Sequence, residues 1–97
     1  MARITFLSRM TVKAGKEAEF ERIVMELQRR VHAEEKGFVY FEFFKLREPR
    51  RYAVLESFPD EATEHAHMNG KILAAVVQDI IACVEGTWER EYLDVIS

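Results

Sequence analysis

The chain has 97 residues, 48% hydrophobic and 32% charged, with a net charge of -3 at pH 7. A core fits this length but a second domain does not, so residues 1–97 are expected to form one globular domain and not a disordered tail. The acidic balance, with no long run of lysine or arginine, weighs against nucleic acid as a partner.

The single Cys83 leaves no internal disulfide, and Met-Ala-Arg runs straight into a strand pattern without a signal-peptide core. Both features lead us to expect a cytoplasmic protein. The longest apolar stretch, Ile72 to Val84, is interrupted by Gln78 and Asp79 and is too short to span a bilayer, so no membrane association is expected.

In chain order, Ile4 to Val12 alternates with period 2, which predicts a strand. Lys13-Ala14-Gly15 breaks it. Phe20, Ile23, Val24, Leu27 and Val31 then recur at helical spacing, opposite a face of glutamates and arginines, and predict an amphipathic helix ending near Gly37. The aromatic-rich run Phe38 to Leu46 and the segment Tyr52 to Phe58 predict a hairpin around Glu48-Pro49-Arg50. Asp60-Glu61 suits a helix N-terminus and Asn69-Gly70 its end, which gives a short helix carrying His65 and His67. Ile72, Leu73, Val76, Val77, Ile80, Ile81 and Val84 predict a further helix stopped by Gly86, and Thr87 to Ile96 predicts the last strand.

This order predicts an α+β, ferredoxin-like β-α-β-β-α-β fold in which both helices cover one face of a four-stranded antiparallel sheet. The other face is then bare. The second strand is aromatic on both sides, with Phe38, Tyr40 and Phe44 on one and Phe41 and Phe43 on the other, and only one set can meet the helices. An uncovered patch of that kind exceeds what monomers expose, and a homodimer packed sheet to sheet is the expected solution.

Lys36 to Phe43 comes close to the RNA-recognition signature, but Val39 stands where glycine or alanine is required and Phe41 replaces valine. His65 and His67, two apart on a helix, point in nearly opposite directions. Even with Glu61 four residues from His65, these residues fall short of a metal site, and no metal is expected. Cys83 has no activating histidine and reads as an inert thiol. Glu42 and Glu56, on adjacent apolar strands, read either as proton acceptors or as halves of ion pairs with Arg9 or Arg90, the ion pair being preferred.

Taken together, Gly15 to Phe20, the aromatic strand after Glu35-Lys36-Gly37, Tyr52-Ala53-Val54-Leu55-Glu56-Ser57-Phe58, and Asp60-Glu61-Ala62 leading to His67 resemble the antibiotic biosynthesis monooxygenase-like domains of the dimeric α+β barrel superfamily. The resemblance covers the whole chain. It implies a dimeric barrel with a pocket in each subunit between helices and sheet. It also implies oxygenation of a quinol, polyphenol or polyketide-like molecule by O2 with no cofactor. His67 would handle the proton, with Ser8, Tyr40, Phe58 and Trp88 lining the pocket and Arg90 holding an anionic substrate. Ile72 stands where a second histidine is common, and no histidine follows His67, which argues against a haem-degrading role. The alternative is a barrel that binds a small ligand without turnover, or a related isomerase.

Overall fold

A computed structural model describes residues 3–96. The elements are β1 (Ile4–Val12), α1 (Glu17–Glu34), β2 (Tyr40–Lys45), β3 (Arg51–Phe58), α2 (Glu61–Met68), α3 (Lys71–Ala74), α4 (Val77–Cys83) and β4 (Val84–Tyr92). The strands form one antiparallel sheet in the order β2-β3-β1-β4, the expected ferredoxin-like arrangement. In β1 the alternation is resolved by burial. Phe6, Ser8, Met10 and Val12 are fully buried under the helices, whereas Thr5, Leu7, Arg9 and Thr11 remain partly open on the far side.

The five apolar residues that predict α1 (Phe20, Ile23, Val24, Leu27 and Val31) are its buried residues and pack on Met10, Tyr52 and Val54. Each such side chain removed from water is worth about 1.5–3 kcal/mol, so this stripe is a principal adhesive of the helix layer. Gly37, with φ 89°, lets the chain leave α1 and enter β2 through the left-handed region. At the start of α2 the Asp60 carboxylate accepts a 2.8 Å bond from the Thr63 backbone N–H, as its helix-start reading requires.

Two expectations change and one open alternative is resolved. The run from Ile72 is not one helix: Val76 (φ -125°, ψ -6°) leaves helical geometry and separates α3 from α4. Gly86 does not stop a helix, which ends at Cys83. It takes φ 75° inside β4, where the pairing with β1 shifts register between Arg9 and Thr11, and the strand therefore starts at Val84 and ends at Tyr92. Finally, Phe41 and Phe43 turn towards the helices. Tyr40 and Phe44 are the exposed aromatics of the open face, near half-buried Leu7 and Leu55, with Arg9–Glu91 and Arg51–Glu89 ion pairs beside them.

Among the described residues, no helix is long and apolar enough to cross a membrane.

Candidate active site

Between the sheet and the three short helices lies a cavity of about 320 Å³. Its walls are apolar: Phe41 and Phe43 rise from β2, Leu27 from α1, Leu73 and Val77 from α3 and α4, and Trp88 from β4. The break between α3 and α4 divides the labour of the predicted helix. Ile72 is buried in the core, Leu73 and Val77 border the cavity, and Ile80 does both. Three polar side chains enter this apolar space, namely Glu56, His67 and Arg90.

Glu56 sits at the centre of the sheet, paired with Phe6 on one side and Phe41 on the other, and is 6% exposed. Among the described residues its Oε1 has no hydrogen-bond partner. Burial pushes its carboxyl up to about 7, the charge of Arg90 opposing this and Glu64 and Glu35 adding to it. The preferred ion pair does not form: Arg9 lies on the open face with Glu91, and Arg90 donates its Nε–H to Ser8 Oγ at 3.3 Å and lays its guanidinium 4.0 Å from the Phe6 ring centre.

His67, 4% exposed, is held on every side. Phe58 stacks on the ring with centroids 5.6 Å apart, and Phe41 meets it edge-on at 5.0 Å. Its Nδ1 lies 2.7 Å from Glu35 Oε1, and its Nε2 lies 3.6 Å from Glu56 Oε1. A carboxylate has no hydrogen to give, so Nδ1 donates to Glu35, and Nε2 is the nitrogen that faces Glu56.

Of the residues singled out in the sequence, the structure brings His67, Trp88 and Arg90 together on this cavity. Phe58 supports His67 from behind, and buried Ser8 lies beneath Arg90. Tyr40 is elsewhere: it lies on the opposite sheet face and donates its hydroxyl to Glu42. His65 is exposed on α2, and among the described residues no group of three or more His, Cys, Asp or Glu is placed to hold a metal ion. The sequence reading gave Glu35 no part in the site.

The sequence profile of the antibiotic biosynthesis monooxygenase family matches residues 3–79. Among solved structures, a Caulobacter crescentus CB15 protein assigned by name as an antibiotic biosynthesis monooxygenase is 25% identical, with a TM-score of 0.91 over 99% of this chain and 92% of that one. A Nitrosomonas europaea protein of unknown function is 24% identical, with a TM-score of 0.82 over 100% and 92% of the two chains. A further structure, named as an antibiotic biosynthesis monooxygenase, is 16% identical and shares the fold with a TM-score of 0.87 over 97% and 99%. No curated protein matches the chain. With most of its length matched by the family profile and the β-α-β-β-α-β sheet in place, the chain belongs to the antibiotic biosynthesis monooxygenase family.

Proposed function

We propose that the cavity binds a quinol or related polyphenol and that the protein oxygenates it with O2 without a cofactor. The observation that carries this reading is the unpartnered Oε1 of Glu56 at the wall of an apolar cavity. An acceptor left bare in such surroundings costs about 1–3 kcal/mol, and a ligand hydroxyl in an otherwise apolar ring system would satisfy it. The family membership and the monooxygenase names of two structural relatives agree with this reading.

The chemistry needs little from the protein. Glu56 takes the hydroxyl proton, and the resulting quinolate passes one electron to O2. The two radicals join through a new C–O bond, and loss of water from the peroxide leaves the hydroxyquinone. For hydroquinone the step balances as one quinol and one O2 giving one hydroxybenzoquinone and one water: the ring gives up four electrons, one oxygen atom enters it and the other leaves as water. The roles left to the chain are proton removal, exclusion of water and orientation. His67 receives the proton from Glu56 at Nε2, Trp88 and the phenylalanines hold the ring, and Arg90 stabilises the developing phenolate.

Oxygen-electrode measurements with a panel of hydroquinones and naphthoquinols test this. Consumption by the wild type, with His67→Ala slower by on the order of 10²-fold, is the expected result. Tight binding of every quinol with no oxygen consumed would leave a ligand-binding barrel in its place.

We also propose that two copies pair through the open sheet face, where Leu7, Leu55, Phe44 and Tyr40 lie unshielded by any helix and Leu93, Val95 and Ile96 extend exposed beyond β4.

A further inference from the structure

We propose that Glu35 is a positioning residue that works through His67: it fixes the ring tautomer and takes up the proton that Glu56 removes, so that Glu35, His67 and Glu56 form a reversible path for that proton. This rests on the oxygenase reading for its kinetic consequences and on geometry for its existence.

The geometry is a partition. His67 borders the apolar cavity with Glu56 and also a second, more polar cavity of about 320 Å³ on the other side of its ring. Glu35 lies in that second cavity, its side chain 19% exposed, at the C-terminal cap of α1. The imidazole thus stands between an apolar cavity and a more polar one. Its two nitrogens face one carboxyl each, at 2.7 Å outside and 3.6 Å inside. The outer contact is a made hydrogen bond; the inner one is long, as catalytic contacts often are before substrate arrives. Phe58 and Phe41 hold the ring against rotation, so a proton taken at Nε2 is released by loss of the proton at Nδ1, with no ring flip.

A proton removed from a substrate hydroxyl has no other carboxylate or imidazole to go to from Glu56 within the cavity, whose remaining polar group is Arg90. Passing it on keeps Glu56 ionised while the quinolate reacts. The step is balanced and reversible: Glu56 loses a proton to Nε2 as Nδ1 loses one to Glu35, and the reverse shift returns it for the loss of water from the peroxide, so that no net proton is released and the ring is protonated again at Nδ1. Besides these groups, Lys36, Lys71 and Glu34 face the outer cavity, and the charges of Glu64 and Arg90 act on Glu56. The two lysines place positive charge around the outer end of the path.

Two substitutions separate the functions of Glu35. Glu35→Ala removes both the hydrogen-bond acceptor and the proton acceptor, whereas Glu35→Gln keeps an amide oxygen for Nδ1–H but cannot carry the proton. In ¹⁵N-labelled, ligand-free protein, long-range ¹H–¹⁵N spectra should show His67 protonated at Nδ1 in the wild type and in Glu35→Gln, and shifted towards Nε2–H in Glu35→Ala. With menadiol as substrate, both variants should lose on the order of 10-fold or more in kcat with little change in KM, and formate should restore part of the rate to Glu35→Ala. A wild-type ring protonated at Nε2, or a Glu35→Ala enzyme with the wild-type pH profile and no response to formate, would overturn the proposal. A wild type that consumes no oxygen removes the oxygenase reading instead, and the ring tautomer then decides the role of Glu35.

Discussion

Glu56→Gln is expected to lower kcat for quinol oxygenation by on the order of 10²–10⁴-fold while the substrate still binds, because the amide can meet the ligand hydroxyl but cannot take its proton. The same substitution should change how stability depends on pH. The folded carboxyl titrates at about 7, above its ordinary 4.5, because burial disfavours the charged form. The native state therefore holds a proton that the unfolded chain releases first. The stability this proton confers is fully present below pH 4.5 and is lost as pH rises through about 7. The difference is on the order of 3 kcal/mol. Urea titrations should show the wild type losing about that much across the window and Glu56→Gln losing far less. A pH-independent wild type, or a variant with the same slope, would mean that Glu56 is already ionised in the folded protein.

Leu55→Asp should convert a dimer into a monomer. Leu55 lies in a central strand, opposite Leu7 on one side and Glu42 on the other, and its side chain points away from the helices. Were the open face packed on a second copy, a carboxylate there would be desolvated beside apolar neighbours at a cost of several kcal/mol, about 3 or more per carboxylate. If each protomer hides ~800 Å² of the face and about half of that is apolar, the association has ~20 kcal/mol of gross apolar gain, before the costs of association, to set against that. A twofold interface would take that penalty twice. Sedimentation velocity at micromolar concentration should give the wild type at twice the 11.4 kDa chain mass and Leu55→Asp at the monomer mass or aggregated. A wild type that sediments as a folded monomer contradicts the pairing. Phe41 and Phe43 are unsuitable for this test, since they face the cavity and their loss would confound the interface with the site.

The strands and the long helix were legible because each has a single clean period. Phe6, Met10 and Val12 alternate with Thr5, Leu7, Arg9 and Thr11, and Phe20 to Val31 forms one stripe. The second strand was ambiguous because aromatics occupy both parities. Glu42 shares the parity of Tyr40 and Phe44 on the open side, but Glu56 on the helix-facing side of β3 shows that a strand glutamate alone does not mark the open face. Local pattern failed at Gly86, where a glycine that reads as a helix stop serves a bulge inside a strand, a choice made by pairing with β1. It failed likewise at Val76, since an apolar stripe does not say whether it covers a core or borders a void.

For the site, His67 was legible from its setting after Glu56-Ser57-Phe58, but its partners were not. Glu35 is 32 residues away in sequence and meets His67 only because the end of α1 lies over α2. Glu56 looked like half of an ion pair because arginines are near in register. Arg90 Nε turns instead to Ser8, and that side-chain choice leaves the carboxyl bare. Tyr40 shows the reverse error, an aromatic that suits a pocket but stands on the wrong face.

The most direct test of Glu56 as the proton acceptor is an infrared pH titration of ¹³C-glutamate-labelled protein. The predicted result is one protonated carboxyl C=O band that disappears with a midpoint near pH 7, is missing from Glu56→Gln, and in the wild type shifts when 2-naphthol is bound. A spectrum with every glutamate already ionised at about pH 6, unchanged by the phenol, would contradict it.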